Sequence, residues 1–303
     1  MLDRKDAQSN DTNTGTELQD TSTYAWYTLI HEVGHAMGLK HPGPYNAGGG
    51  STPKPYLPKS LDNRITTVMS YNDAAGSQKV NVTATPSGYS YSARGISPST
   101  YQVLDIAALQ YLYGANTSAS AADISLSDTT TQYQTVWAPN GVEVNASTTT
   151  RSNVFDLRAG QYSTIAKRTA ADQVSAFKDS LVAQGKDAAL AQSMANNIVN
   201  NTKALKGQIF DGRMTLGLAW GSKMTNVTGG SGNDTFYASN YTTTVDGGTG
   251  NDTLMLQGAS TDWTSSTGQN GAVLYTNKKN NAVITAKGFE AIKYYTATSP
   301  STA

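Results

Sequence analysis

The chain of 303 residues contains no cysteine, which excludes disulfide bridges, thiolate metal sites and cysteine nucleophiles. Charged residues make up only 15% of it, and 22 basic residues balance 22 acidic ones, so no positive surplus exists for nucleic acid or an anionic membrane surface. No segment approaches the ~20 apolar residues of a transmembrane helix. The first residues lack the apolar stretch of a cleavable signal peptide, so any export is expected to use another signal.

Thr, Ser, Asn and Gly fill the space that charged residues leave, and this composition favours turn-rich β-structure. Apolar residues at helical spacing predict a helix over 24–38, ended by Gly38, and a second over 99–113, capped by Ser99 or Thr100. The other expected segments are a flexible lead-in at 1–22, a loop-rich segment at 42–98, short strands at 117–168 and an amphipathic helical hairpin at about 170–205. This hairpin is expected to cover apolar surface of the neighbouring domain.

The sequence of residues 31–42 is HEVGHAMGLKHP, which has the form HExxHxxGxxH. Residues four apart on a helix lie about 40° apart around its axis, so His31 and His35 project from one face and can chelate one cation. Gly38 can adopt a positive φ, which lets the chain turn sharply and return His41 as a third ligand. Three neutral imidazoles leave a fourth position open for water, which is typical of catalytic zinc. Glu32 adjoins the first ligand and can reach that water.

The alternative is an amphipathic helix with incidental histidines, because HExxH alone also occurs by chance. The chain has only three histidines, and all of them occupy the ligand positions of the longer motif, which argues against a chance match. We therefore expect His31, His35 and His41 to bind one catalytic Zn²⁺.

HExxHxxGxxH followed by a methionine turn is the pattern of the metzincin metallopeptidases, which this sequence resembles. The candidate turn is TVMSYN at residues 67–72, with Met69 in the position that packs beneath the metal. Its Met-Ser-Tyr form resembles the serralysin branch, in which the tyrosine contacts the zinc or the oxyanion, and Tyr71 holds that position. Residues 41–48 and 105–116 also resemble serralysin segments, although core packing alone explains the second of these.

Two glycine-rich nonapeptides, GGSGNDTFY at 229–237 and GGTGNDTLM at 247–255, match the calcium-binding RTX pattern GGxGxDxUx, in which U is a large apolar residue. The glycines allow a tight turn with inward carbonyl oxygens, and the aspartate adds a charged oxygen, so Ca²⁺ is the expected ion. The residues expected to bind calcium are Gly230, Gly232, Asp234, Gly248, Gly250 and Asp252. A glycine-rich turn without metal is the alternative, and two matches in phase disfavour it.

The two nonapeptides start 18 residues apart, which is one full coil of a parallel β-roll. They are therefore expected to stack on one edge, with at least one structural Ca²⁺ between the loops that end in Asp234 and Asp252. Apolar residues recur every nine positions and predict a ladder of core side chains: Val227, Phe236, Val245, Leu254 and Trp263.

These patterns predict an α+β protein in which a metzincin-type zinc peptidase domain precedes a parallel β-roll domain with a helical insertion. The expected segments are a lead-in at 1–22, the catalytic domain at 23–116, the β-roll domain at 117–303 and the insertion at about 170–205. Metzincin catalytic domains place a twisted sheet before the zinc helix, and only 30 residues precede His31. The resemblance therefore implies that the N-terminal part of the catalytic domain is missing.

The resemblance implies a zinc endopeptidase that hydrolyses extracellular proteins through a zinc-bound water, with Glu32 as general base and Tyr71 stabilising the oxyanion. The expected partners are protein or peptide substrates and a proteinaceous inhibitor, without nucleic acid or a membrane span, and the chain is expected to be a secreted monomer. One alternative is a calcium-stiffened binding or structural module that has lost its cleft; another is a zinc hydrolase of a non-peptide substrate. The missing sheet favours the module, whereas Glu32 and Tyr71 argue against it because a purely structural zinc fold needs neither.

Overall fold

The computed structural model describes residues 20–46 and 49–296, so the lead-in expected at 1–22 lies almost entirely outside the described residues. The described chain is a mixed α/β structure, in agreement with the broad fold class expected from the sequence. Its α-helices are α1 (Tyr24–Ala36), α2 (Val103–Tyr113), α3 (Ala170–Ala183) and α4 (Ala188–Asn196), and a π-helical turn (Asn197–Asn201) follows α4. Within the described ranges, none of the helices has both the length and the apolar character needed to cross a bilayer.

Strands supply most of the other regular structure of the described residues. In chain order they are β1 (Gln78–Thr85), β2 (Gly88–Gly95), β3 (Ile124–Ser125), β4 (Gln134–Val136), β5 (Val142–Asn145), β6 (Val154–Asp156), β7 (Tyr162–Ser163), β8 (Leu216–Leu218), β9 (Met224–Thr228), β10 (Thr235–Tyr237), β11 (Thr243–Asp246), β12 (Thr253–Gln257), β13 (Trp263–Thr267), β14 (Val273–Asn277), β15 (Val283–Lys287) and β16 (Ala291–Tyr295). They form a β1–β2 hairpin, a small sheet β4-β8-β7 and two larger sheets, β16-β12-β10-β6 and β13-β14-β15-β11-β9-β5-β3.

Helix α1 carries the histidine motif and begins where the sequence predicts. Thr23 caps it, because its hydroxyl oxygen accepts a hydrogen bond from Trp26 N at 3.1 Å. Gly38 follows the last turn with a φ of +89°, a conformation that residues with a side chain rarely adopt. The buried face of the helix belongs to one apolar cluster, whose buried members are Tyr27, Ile30, Leu39, Val68 and Met69. This packing holds the helix against the turn that contains Met69.

Helix α2 begins at Val103, later than the predicted start at Ser99. Ser99 and Thr100 do not cap the helix, because both bond to the backbone of the strand region around β4. The Ser99 hydroxyl donates to Tyr133 O at 3.2 Å, and Thr100 Oγ1 accepts from Thr135 N at 2.7 Å. The segment predicted as the first turn of the helix therefore ties the helix to the strands instead.

Residues 42–98 are not loop throughout, because β1 and β2 form an antiparallel hairpin in which Thr85 pairs with Gly88. Strand β1 alternates polar and apolar residues, and its apolar side chains pack with α3 and α4 in one cluster. The helices predicted at about 170–205 are thus confirmed. The apolar surface that they cover includes the β1–β2 hairpin, a strand pair that the loop-rich prediction for residues 42–98 did not contain.

The two larger sheets face each other across one apolar core. Val227 and Val245 lie on β9 and β11 of one sheet. Phe236 and Leu254 lie on β10 and β12 of the other, so the chain crosses between the sheets every nine residues. Parallel pairing places Phe236 beside Leu254, and the two nonapeptides stack as the 18-residue spacing predicts.

The apolar ladder differs from its prediction at both ends. Trp263 is buried but lies on β13, which pairs antiparallel with β14, so Trp263 is not the fifth rung of the coil. Strand β15 pairs with β11 and β16 pairs with β12, and these strands supply the next coil. At the other end β5 and β6 form an earlier coil, in which Phe155 lies beside Phe236. The series of parallel-stranded coils therefore extends beyond the glycine-rich repeats in both directions.

Candidate metal centre

The three histidines predicted as zinc ligands converge on one point. His31 and His35 project from α1, and His41 returns to them after the turn at Gly38. Nε2 of His41 lies 3.1 Å from Nε2 of His31 and 3.0 Å from Nε2 of His35. A tetrahedral zinc with Zn–N distances of about 2.0–2.1 Å separates its nitrogens by about 3.3 Å, so the triad has nearly the spacing that zinc requires.

The second ring nitrogen of each histidine fixes the tautomer. Each Nδ1 lies near a backbone carbonyl oxygen: His31 near Val68 at 2.8 Å, His35 near Leu39 at 2.9 Å and His41 near Tyr45 at 3.0 Å. A carbonyl oxygen can only accept, so each Nδ1 carries a proton, and in the neutral imidazole the lone pair is then on Nε2. Donation of Nδ1–H to a carbonyl is the usual support of a metal-bound imidazole.

The electrostatics of the triad favour a cation at its centre. Three lone pairs that face one another at this distance repel unless a positive charge lies between them. Burial lowers the pKa of His31 and His41 below the ordinary value, and the neighbouring histidines lower it further, so neutral imidazoles are favoured. A divalent metal that prefers nitrogen ligands therefore fits the site.

Glu32 and Tyr71, the two predicted catalytic residues, lie beside the triad. Glu32 follows the first ligand on α1 and is exposed. The centroid of the Tyr71 ring lies 4.5 Å from that of His41 and 5.7 Å from that of His31, and 41% of Tyr71 is exposed. Burial, followed by the negative charge of Glu32, raises the pKa of Tyr71, so its hydroxyl remains a hydrogen-bond donor at neutral pH.

Met69 packs against the helix between the first two ligands. It is almost fully buried, and its Sδ lies 2.7 Å from the position that a Cβ on Gly34 would occupy. Because Gly34 stands between His31 and His35 in α1, the missing side chain lets the sulfur approach the backbone under the triad. The methionine turn thus packs against the helix that carries two of the three predicted ligands.

Asp105, which sequence analysis assigned to core packing alone, holds the methionine turn. Its carboxylate accepts hydrogen bonds from Thr67 Oγ1 at 2.5 Å, Val68 N at 2.8 Å and Gln102 N at 2.9 Å. Val68 O in turn accepts from His31, so Asp105 supports the first ligand through the turn. Burial raises the pKa of Asp105 to about 6, and the three hydrogen bonds oppose this shift. The available sign in the sequence was that Asp105 is the one charged residue of this helix.

The glycine-rich turns predicted to bind calcium stack directly on each other. Asp252 Oδ1 accepts a hydrogen bond from Asp234 N at 2.7 Å. In two pairs, a Cβ on the second glycine would collide with the carbonyl oxygen of the first: Gly230 and Gly248, Gly232 and Gly250. Glycine at these positions therefore lets the backbones of successive turns come into contact.

The two aspartates of these turns differ in how fully their oxygens are bonded. Asp234 accepts from Asn153 N on Oδ1 and from Gly230 N on Oδ2. Asp252 is fully buried, and its Oδ2 has no hydrogen-bond partner within the described residues. Burial, and then the nearby carboxylates, raises the pKa of Asp252 to about 6. A buried carboxylate oxygen without a donor suits a hard cation such as Ca²⁺.

Asn153 and Glu290 bond to the two aspartates from either side of the stacked turns, and the sequence predicted neither contact. Asn153 N donates to Asp234 Oδ1 at 2.6 Å, and Asp252 N donates to Glu290 Oε2 at 2.6 Å. Neither residue belongs to a glycine-rich nonapeptide, so the repeat pattern contained no sign of them.

Comparison with known proteins places these sites in context. No family model matches the chain. Serralysin of Proteus mirabilis is 33% identical over 170 residues, which are 50% of this chain and 31% of that protein. Serralysin C of Dickeya chrysanthemi is 37% identical over 107 residues, which are 34% of this chain and 19% of that protein. Metalloprotease AprA of Pseudomonas entomophila is 38% identical over 103 residues, which are 34% of this chain and 20% of that protein.

The chain thus spans between 19% and 31% of the length of these three relatives. They agree with one another in being named serralysin or metalloprotease, and the histidine triad of this chain is a group of side chains that could hold a metal ion. Over the aligned residues, this chain is similar in sequence to the serralysin metalloproteases.

Proposed function

We propose that this chain carries the zinc centre of an endopeptidase that hydrolyses peptide bonds in extracellular proteins. The observation that carries the proposal is the convergence of three histidine Nε2 atoms, with a carbonyl oxygen beside the Nδ1 of each ring. Three imidazole ligands leave the fourth tetrahedral position open. The similarity to serralysins supports the same class of reaction.

In this proposal each polar residue beside the triad has a separate role. Bound zinc would supply a Lewis acid that activates water and polarises the scissile carbonyl. Glu32 would take a proton from the attacking water and deliver it to the leaving amine. Tyr71 would donate a hydrogen bond to the carbonyl oxygen as negative charge develops on it. His31, His35 and His41 would hold the metal.

We propose a calcium-stabilised parallel β-roll for residues 117–303, with the helical insertion at about 170–205, and a catalytic domain at 23–116. The stacked glycine turns and the unpartnered oxygen of Asp252 support at least one structural Ca²⁺. The proposed calcium-binding residues are Gly230, Gly232, Asp234, Gly248, Gly250 and Asp252.

The proposed partners are protein or peptide substrates and a proteinaceous inhibitor, and the proposed state is a secreted monomer. These proposals extend the resemblance to the serralysins. The balanced charge of the chain provides no general attraction for nucleic acid, so we propose none as a partner.

Replacement of Glu32 tests the proposed reaction directly. Glu32→Ala should retain one equivalent of zinc and hydrolyse casein about 10²–10⁴-fold more slowly, because removal of a general base has this effect. Glu143→Ala, which removes an exposed glutamate on β5, is the matched control and should keep full activity. Metal analysis and initial rates on casein measure the two properties.

Two outcomes of this experiment would contradict the proposal in different ways. Wild-type protein that binds zinc and cleaves no substrate would reject the endopeptidase and support a calcium-stiffened binding or structural module. A zinc-loaded Glu32→Ala protein that is as fast as wild type would reject only the role of Glu32.

A further inference from the structure

Asp62 joins the two loops that carry the third metal ligand and the proposed oxyanion donor. Its Oδ1 accepts a hydrogen bond from the Tyr45 hydroxyl at 2.5 Å and another from the Ser70 hydroxyl at 2.7 Å. Tyr45 belongs to the loop after His41, and Ser70 directly precedes Tyr71. Hydrogen bonds to a carboxylate are roughly twice as strong as neutral ones, so one side chain holds both loops.

From this anchor Tyr45 reaches both functional side chains. Its backbone oxygen accepts from His41 Nδ1 at 3.0 Å, and its ring stacks on Tyr71 with centroids 5.1 Å apart and planes inclined by 26°. Gly43 provides the space for this arrangement, because a Cβ there would lie 2.7 Å from Asp62 Oδ2 and nearer still to the ring of Tyr45. Tyr45 therefore couples the orientation of His41 to the position of Tyr71.

Ser70 fixes the backbone before and after Tyr71. It is fully buried, and its carbonyl oxygen accepts a hydrogen bond from the Tyr27 hydroxyl at 2.9 Å. Its side-chain oxygen accepts from Asn72 N at 3.1 Å. The backbone around Tyr71 is thus held, whereas its half-exposed ring depends on contacts with neighbouring rings such as that of Tyr45.

We propose that Asp62 and Tyr45 are positioning residues, which together set the place of the Tyr71 ring beside the metal triad and the orientation of His41. The inference rests on the proposed function, because it assigns Tyr71 a role in the reaction. Without the hydrogen bond to Asp62, the Tyr45 ring is free to shift, and Tyr71 and the third ligand shift with it. Residues that support a metal ligand in this way typically change metal affinity or activity by about 10–100-fold when removed.

Tyr45→Phe is the sharpest variant, because it removes the hydroxyl and keeps both the ring and the backbone oxygen. Asp62→Asn is a second variant that weakens the same hydrogen bond from the other side. Tyr56→Phe is the matched control, since the Tyr56 hydroxyl donates to Thr52 O instead of Asp62. Each protein, loaded with Zn²⁺ in the presence of Ca²⁺, is assayed for zinc release to a chelator and for kcat and KM on a peptide substrate.

We expect Tyr45→Phe and Asp62→Asn to release zinc about 10-fold faster than wild type. Their kcat should fall about 10-fold while KM stays within about twofold, because the lost contact acts on the transition state. Tyr56→Phe should match wild type in both assays. Tyr45→Phe and Asp62→Asn proteins that both behave like this control would overturn the proposal.

A double-mutant cycle with Tyr71→Phe separates positioning from general weakening. If Tyr45 acts through Tyr71, the double variant should have the kcat of Tyr71→Phe alone, because the hydroxyl to be positioned is already absent. Additive losses in kcat would overturn this route. If wild-type protein binds zinc without hydrolysing peptides, the proposed function fails, and the zinc-release rates alone then decide whether Tyr45 orients His41.

Discussion

Two regions of the molecule build their sites in opposite ways. The metal-triad region comprises α1, His41 and the methionine turn, and the parallel-stranded region comprises β9 to β12 with their glycine-rich turns. In the first, eleven consecutive residues supply all three histidines, but distant residues such as Val68 hold them in place. In the second, successive turns supply similar groups, and each turn is held by the turn 18 residues away. A lost ligand should therefore have a local effect in the first region, whereas the effect should spread along the coil in the second.

Removal of a zinc ligand has the largest expected effect and tests the local character of the first region. His35→Ala leaves two histidines, and we expect stoichiometric zinc binding to disappear, because two imidazoles do not complete a catalytic zinc site. The calcium dependence of unfolding should stay as in wild type. Metal analysis and thermal unfolding with and without calcium measure both, and full zinc occupancy in the variant would contradict the ligand assignment.

Calcium removal tests the second region and should have the next largest effect. An ion that binds only the folded state stabilises it by about 4 kcal/mol at a thousandfold excess over Kd. Glycine-rich turns are costly to order, at roughly 1–2 kcal/mol per residue, so the coil depends on this contribution. We expect chelation to speed hydrogen exchange over residues 215–265, including Phe236 and Leu254, and to leave α1 less affected.

A pair of matched variants separates the calcium effect from general destabilisation. Asp252→Asn should reduce the calcium dependence of exchange, because Asp252 offers the unpartnered buried oxygen. Asp262→Asn is the control, since the Asp262 carboxylate pairs with Lys279 and lies outside the nonapeptides. Unchanged protection at Phe236 and Leu254 after chelation would mean that the apolar ladder alone holds the coil.

The same contrast explains how much the sequence could predict. Helix α1 and the proximity of His31 to His35 were predictable because spacing along one helix determines which side chains share a face. The acceptors of the imidazole protons were not, because the fold brings Val68 O to the first ligand from 37 residues away. The supporting contacts of Asp105 and Asp62 were not predictable for the same reason, since a single carboxylate in a sequence does not indicate which distant loops it joins.

In the parallel-stranded region, the nine-residue period predicted the stacked turns correctly but not the strands at either end of the series. Phe155 is separated from the repeats by a long insertion that interrupts the series of apolar residues, although Phe155 and Phe236 pair in parallel strands. Trp263 continues the period in sequence but starts an antiparallel hairpin. The β1–β2 hairpin did carry a detectable sign, the alternation of Val80 and Val82 with polar residues, which nearby proline and glycine obscured.

Asp105→Asn should have a moderate effect, and its pH dependence has a defined sign. The amide accepts fewer hydrogen bonds than the carboxylate, so the variant should lose about 2 kcal/mol of stability at pH 7. The folded-state pKa of about 6 lies above the ordinary value of 3.8, so protonation of Asp105 adds a second, separate contribution to the stability of wild type. This contribution is present in full below pH 3.8 and is lost as pH rises through 6. The stability difference between wild type and variant should therefore widen on acidification, by up to about 3 kcal/mol.

Chemical unfolding of both proteins between pH 4 and pH 8 measures this difference, and other titrating groups cancel in the comparison. Asp179→Asn, an exposed aspartate on α3, is the matched control and should show no such widening. A difference that narrows on acidification would mean that Asp105 is held as a carboxylate by its three donors.

Gly34→Ala has the smallest expected effect, because two opposing contributions nearly cancel. Alanine in a helix interior is about 1 kcal/mol more favourable than glycine. The added Cβ would lie 2.7 Å from Met69 Sδ, and overpacking of this kind costs about 1–3 kcal/mol. We therefore expect a net loss of about 1 kcal/mol, measured by chemical unfolding, with Gly88→Ala as a control whose Cβ would meet nothing nearer than 4.0 Å.

The origin of this small loss can be tested through Met69 itself. In a Met69→Ala background the sulfur is absent, so Gly34→Ala should become stabilising by about 1 kcal/mol through helix propensity alone. This reversal of sign would show that a glycine at position 34 is needed to admit the methionine turn beneath the triad. If Gly34→Ala already stabilises the protein with Met69 present, the added Cβ does not collide with the sulfur. The packing of the methionine turn on α1 would then be looser than the 2.7 Å distance indicates.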